Sequence, residues 1–235
     1  MPLVKFKQDL SKLKNQTKAD AYAWFFKTGK GEYGEGDFFL GLTVPEMRMI
    51  AKKYINLSLQ DVEKLLTSIW HEHRLTGALI LTYKYDRADS KEQKQIFDFY
   101  LKHTKGINNW DLVDLTAHKI VGAYLHDNPR VDRKILYKLV KSSSLWERRI
   151  AIIATFNFIK QHDYHDALRI AELLLKDEQD LIHKAVGWML REIGKRDQKT
   201  EEAFLQKHYQ TMPRTMLRYS LEKFSDAKRK KYMKK

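Results

Sequence analysis

The sequence predicts an all-α fold: an α-solenoid or superhelix of antiparallel helix pairs with a concave basic cleft. Three observations lead there. Helix-start signals recur at similar intervals, apolar residues between them follow a period of 3.6, and alternating strand-like segments bounded by tight hairpin signals are missing.

Taken in order, the N-terminal MPLVKFKQDL is too polar to read as a signal peptide. AYAWFFK follows as a helical aromatic stretch. GKGEYG, Gly29 to Gly34, matches a dinucleotide-binding glycine pattern, but a helical stretch precedes it where a strand is required. Glu32 and Glu35 would also repel phosphates, so a flexible loop is expected. TVPE at Thr43–Glu46 is a capping box with proline in the first turn. SLQD from Ser58, SKEQ from Ser90 and SLWE from Ser144 repeat a short polar cap followed three residues on by an acid or amide. HEHR, His71–Arg74, lacks the second histidine at i+4 that a zinc-binding helix needs, because position 75 is Leu. Asn128-Pro129 and Met212-Pro213 mark breaks between helices. HDYHD, His162 to Asp166, is expected to be a solvated loop, and DAKRKKYMKK, Asp226 to Lys235, a disordered basic tail.

About twelve helices are expected, starting about 15 to 20 residues apart, so a pair spans about 35 to 40 residues, near the HEAT-type period. No Gly/Ser-rich or Pro-rich linker interrupts the 235 residues, and a single HEAT-like domain over 1–235 is expected. A compact orthogonal helical bundle is the alternative. No run of apolar residues is long enough to span a bilayer, and the complete lack of cysteine fits a reducing cytoplasm. The same lack removes thiolate metal sites, and neither metal nor cofactor is expected. Lys+Arg number 44 against 30 Asp+Glu, a net charge of +14, which favours anionic partners such as nucleic acid.

Three places interrupt an apolar face. Arg149 lies on the inward stripe of Leu145, Ile153 and Phe156, where an arginine must meet an anion or extend past the core edge. Lys184, Trp188 and Arg191 follow one another at i, i+4 and i+7, a cation–indole–cation stripe suited to a phosphate chain. Gly187 beside the indole suggests close approach of backbone or ligand. In NNWDLVD, residues 108–114, Trp110 and Asp114 stack on one helical face. Asp114 is too deep for a cap and, if buried, needs a partner, for which Arg149 is a natural candidate.

These stretches, NNWDLVD, WERRIAIIATF and KAVGWMLREIGK in that order, with FFLGLTVPEMR upstream, resemble the AlkD-type DNA alkylation repair DNA glycosylases over most of the chain. The resemblance implies a superhelix of HEAT-like pairs and excision of cationic alkylpurines, such as N3-alkyladenine and N7-alkylguanine, from double-stranded DNA. It assigns the catalytic carboxylate to Asp114, the paired tryptophans to Trp110 and Trp188, and the active-site arginine to Arg149. Arg48 falls at a backbone-contacting position, and Lys184 and Arg191 join it as DNA-binding candidates. An N-terminal aromatic also lines the family's cleft, and Tyr22, Trp24, Phe25 and Phe26 all remain candidates. A monomer acting on DNA, with no membrane partner, is expected. Two rival readings are a non-catalytic helical module that binds DNA or RNA, and a protein-interaction scaffold.

Overall fold

Local capping signals set several helix starts, and the computed structural model, which describes residues 2–234, holds the helices in an all-α arrangement. The described residues fall into two compact units that divide between Thr116 and Ala117.

In the first unit, α1 (Pro2–Lys12) is followed by α2 (Gln16–Phe25), which Asn15 caps by accepting the Lys18 N–H at 3.0 Å. At α3 (Val44–Lys53) the capping box forms as expected, with the Glu46 carboxylate 2.7 Å from both the N–H and the hydroxyl of Thr43. Ser58 likewise caps α4 (Leu59–Leu66), accepting from the Asp61 N–H at 3.1 Å. Next come α5 (His71–Tyr85), α6 (Ser90–Lys102) and α7 (Trp110–Ala117), the last running into the boundary with the second unit. Ser90 is not the cap of α6. The preceding Asp89 takes that place and forms the box with Glu92, because its carboxylate reaches the Glu92 N–H at 2.8 Å. A helix buried on every side is rare outside a hub position, and α5 is one. It packs against α3, α4 and α6, and its first twelve residues, polar ones included, are all buried.

In the second unit a π-helical turn, His118–Gly122, leads into α8 (Ala123–Asp127), which ends at the Asn128-Pro129 break. There follow α9 (Lys134–Val140), α10 (Leu145–Ala154), capped by Ser144, and α11 (Phe156–Lys160). α12 (His165–Leu173), α13 (Asp180–Gly194), α14 (Gln198–His208), α15 (Arg214–Ser220) and α16 (Asp226–Met233) complete it. α13 is the hub here, sending Ile182, Val186, Met189, Leu190 and Ile193 inward against α10, α14 and α15. Gly187 answers the question its position raised: a Cβ there would lie 2.5 Å from the Met216 carbonyl and the Tyr219 Cβ. The close neighbour is the backbone of α15.

Sixteen α-helical segments are thus found among the described residues, against about twelve expected from the repeat spacing. Two of the additional segments come from interruptions, since the π turn separates α7 from α8 and Thr155 separates α10 from α11. The expected basic tail is corrected. Residues 226–233 are helical because Ser225 caps them, Tyr232 packs edge-on against Tyr209 and Phe224, and Lys228 pairs with Glu202. Lys235 lies outside the described residues. The HDYHD carboxylates are tied down more than a solvated loop requires, with Asp163 and Asp166 each 2.7 Å from Arg133 and Asp166 also holding the Tyr137 hydroxyl at 2.6 Å. The GKGEYG segment is a turn-rich loop whose glutamates cap it, Glu32 at the Gly29 N–H and Glu35 at the Gly31 N–H. No helix among the described residues is long and apolar enough to cross a membrane.

Candidate functional site

The candidate residues divide between the units, Arg48, Trp110 and Asp114 in the first and Arg149, Lys184, Trp188 and Arg191 in the second. In the first unit the site is built on the start of α7, which a buried polar network fixes. Asp111, in the first turn, accepts a hydrogen bond from His71 Nε2 at 2.8 Å, and the other ring nitrogen lies 3.3 Å from Asp37. Asp37 pairs with Arg74 at 2.7 Å, and Arg74 donates to the Asn108 side chain at 2.9 Å and to the Ser68 carbonyl at 2.9 Å. Asn109 reaches back to Asp37 at 3.4 Å. Burial pushes the His71 pKa down, but the Asp111 charge and the hydrogen bonds to Asp111 and Asp37 outweigh it and raise it to about 9. The imidazole is therefore an imidazolium at neutral pH. Asp37 is held below its ordinary range: burial pushes it up, and the bonds and charges of His71 and Arg74 pull it further down. Glu72, also buried, accepts the N–H groups of Leu40, Gly41 and Leu42 at 2.8, 2.8 and 3.2 Å, which pins the loop before α3.

HEHR is thus the centre of the first unit's polar framework. Sequence reasoning set it aside as a failed metal motif and missed this role. The available signal was four consecutive polar residues opening an otherwise apolar helix, a pattern that demands buried partners.

With α7 fixed, Trp110 and Asp114 stand one turn apart on one face. The indole is half-buried and stacks on Phe26, ring centroids 5.2 Å apart and planes 18° apart. Phe25 meets it edge-on at 6.0 Å. Phe26 in turn stacks on Phe39, and both rings lie against the imidazolium of His71, at 4.9 and 4.7 Å. Of the four N-terminal aromatics left open by the sequence, Phe25 and Phe26 contact Trp110, Tyr22 packs on Phe26 and Phe39, and Trp24 projects with 84% of its surface exposed. A cavity of about 170 Å³ adjoins the stack, lined by Tyr22, Phe25, Phe26, Phe39, Met47 and His71. Asp114 is half-buried, and its charge adds to burial in raising the pKa of the enclosed Tyr100 phenol. Arg48, half-buried on α3, makes no ion pair or hydrogen bond among the described residues, so its guanidinium is available to an anion.

In the second unit Arg149 is only 4% exposed, which removes the option of extending past the core edge, and its Nη1 donates to the Leu181 carbonyl in the first turn of α13. Its neighbour Arg148 grips Asp177 at 2.6 Å and the Ser142 and Ser143 carbonyls at 3.0 Å. Trp188 is half-buried, its Nε1 donating to Glu192 at 3.2 Å and its ring tilted against Phe156 at 5.7 Å. The flanking cations are already occupied: Lys184 pairs with Asp180 at 2.7 Å and Arg191 with Glu222. The stripe therefore presents an indole between two neutralised pairs. Among the described residues no group of three His, Cys, Asp or Glu is arranged to hold a metal ion.

A family profile described as DNA alkylation repair enzyme matches residues 6–224. The chain belongs to the DNA alkylation repair enzyme family. That membership supports an enzymatic role in DNA repair. A solved structure described as a predicted DNA alkylation repair enzyme from Enterococcus faecalis superposes with a TM-score of 0.72 at 17% identity, covering 91% of this chain and 97% of that one. At such identity the likeness carries the fold. No curated protein matches the sequence. Within the family frame, Asp114 and Trp110 occupy a rigid helix start, whereas Lys184 and Arg191 would have to leave carboxylate partners to meet DNA.

Proposed function

We propose that the chain is a monofunctional DNA glycosylase that hydrolyses the N-glycosidic bond of positively charged alkylpurines in duplex DNA. It acts as a cytoplasmic monomer built of HEAT-like helix pairs and needs no cofactor. The observation that carries this reading is the pairing of the half-buried Asp114 carboxylate with the braced Trp110 indole, one turn apart on α7, in a chain of the alkylation repair family.

A purine alkylated at N3 or N7 carries a positive charge and leaves as a neutral base when the electron pair of the C1′–N9 bond moves into the ring. No general acid has to protonate it. The barrier lies at the sugar, which gains oxocarbenium character. A carboxylate about 4 Å from that cation, at an effective dielectric near 20, attracts it by about 4 kcal/mol. That corresponds to at most about a thousandfold in rate, before the desolvation of Asp114 is subtracted. Asp114 also orients the water that adds to C1′. Trp110 and Trp188 offer π faces to the cationic nucleotide at about 0.5 to 2 kcal/mol each, so charge selects the lesion. Arg149 is the active-site arginine that the family resemblance assigns, and Arg48 meets the phosphate backbone.

The test is incubation with a duplex containing N7-methylguanine. Free base should appear, and Asp114→Asn should release it about tenfold to a thousandfold more slowly. Salt-dependent binding with no base release would reduce the protein to a DNA-binding module, and equal rates for variant and parent would remove the carboxylate mechanism.

A further inference from the structure

Around Phe156 in the second unit, basic side chains outnumber the acids among the described residues. Phe156 opens α11 half-buried, with the Trp188 ring at 5.7 Å and the His118 ring edge-on at 5.3 Å. Lys160 Nζ lies 5.0 Å from its centroid and the Arg196 guanidinium carbon 6.0 Å. Lys119 follows His118 in the π turn. Lys119 and Lys160 make no ion pair among the described residues, and the carboxylate that Arg196 reaches, Glu192 at 3.1 Å, is already shared with Lys195 at 2.5 Å and the Trp188 indole.

The cluster shows the strain of like charges. Burial and then the charges of Lys119 and Arg196 lower the pKa of Lys160, and burial with Lys160 and Lys119 takes that of His118 down to about 4. His118 is therefore neutral at pH 7, and its buried Nδ1 has no hydrogen-bond partner among the described residues. Leaving such a group unbonded is unfavourable, and gathering cations beside it adds repulsion. An anion would relieve both. Phe156 contributes a floor with no acceptor to compete for the cations. Lys160 is exposed, so the cluster suits a charged chain passing over it better than a small ion enclosed in a pocket.

We propose that Lys119, Lys160 and Arg196, set round Phe156, form a phosphate-binding site that holds a DNA backbone phosphate beside Trp188. This site rests on the reading of the protein as a DNA repair enzyme. It also gives the second unit the backbone contact that the paired Lys184 and Arg191 do not supply.

Affinity for an undamaged duplex, measured by fluorescence anisotropy across a salt series, tests it. The slope of log affinity against log salt falls by about 0.9 for each phosphate contact removed. Lys119→Gln/Lys160→Gln, which removes that one phosphate contact, should therefore lower the slope by about 1, while Lys138→Gln, an exposed lysine on α9, leaves it unchanged. A double variant with the parent's slope and an unchanged melting temperature overturns the site. Titration with inorganic phosphate, followed by the His118 ring signals, forms a second arm. Perturbation by duplex and not by millimolar phosphate supports the backbone assignment, and saturation by phosphate alone overturns it. Base release is assayed on the same preparations. A slope change without base release leaves this site standing and removes the glycosylase reading, and base release with an unchanged slope does the reverse.

Discussion

His71 and Asp111, forty residues apart in the chain, share a 2.8 Å hydrogen bond inside the first unit. Through it the opening turn of the helix that carries Trp110 and Asp114 is moored to the most buried helix of that unit. The geometry on which the proposed chemistry depends is therefore set by a residue that takes no part in it.

The mooring has a pH signature. Folding raises the His71 pKa from 6.5 to about 9, so its contribution is fully present below pH 6.5 and is lost as pH rises through 9. Asp37, held below its ordinary range, contributes above the unfolded carboxylate pKa and loses that contribution as acid protonates it. Between pH 6.5 and about 9.5 the stability should fall by something on the order of 3 kcal/mol. Thermal melts should record this decline, and His71→Gln should flatten it. A parent protein melting at one temperature throughout that range would contradict the assignment.

The two aspartates of α7 should separate cleanly. Asp111→Asn weakens a buried, charge-assisted bond and should cost about 2 to 3 kcal/mol, read as a lower melting temperature. Asp114→Asn should melt within a degree or two of the parent and lose base release instead. If both variants lost stability alike, Asp114 would be a framework residue.

Gly187→Ala should be damaging for a reason unrelated to helix propensity. Its Cβ would sit 2.5 Å from backbone and side-chain atoms of α15, forcing the two helices apart. A loss of about 1 to 3 kcal/mol is expected, against the gain of roughly 1 kcal/mol that alanine gives at an open helical site. A stabilised variant would show that the α13–α15 packing is looser than described.

Among the DNA-binding candidates, Arg48 and Arg191 should behave oppositely. Arg48→Gln removes an unpaired guanidinium and should weaken duplex binding while lowering its salt slope by about 1. Arg191→Gln breaks the pair with Glu222 and should shift the melting temperature more than the affinity. Equal losses of affinity in the two variants would mean that Arg191 leaves Glu222 on binding.

What the sequence reveals here follows the range of the interactions involved. The caps at Thr43, Ser58 and Ser144 were legible because donor and acceptor lie three residues apart. Asp89 displaced Ser90 because both are competent caps and nothing local ranks them. Trp110 and Asp114 on one face follow from helical spacing alone. The side-chain partners of His71 and Arg74 lie 34 to 40 residues away, and no periodicity announces them. Composition suggested a frayed C-terminus, yet two aromatic contacts and a serine cap sufficed to order it. Arg191 meets Glu222 only once the turn after α15 has folded back on α13, whereas Lys184 pairs with Asp180, one helical turn before it, which the spacing alone offered.

The grip of Glu72 on Leu40, Gly41 and Leu42 reaches across 30 to 32 positions, so the segment ending at residue 42 has no stable resting place until α5 exists. Those three amides should exchange with deuterium at one shared rate, set by the opening of a single carboxylate clasp. They form a natural reporter of when the N-terminal portion has docked, both in refolding and in any excursion the native molecule makes.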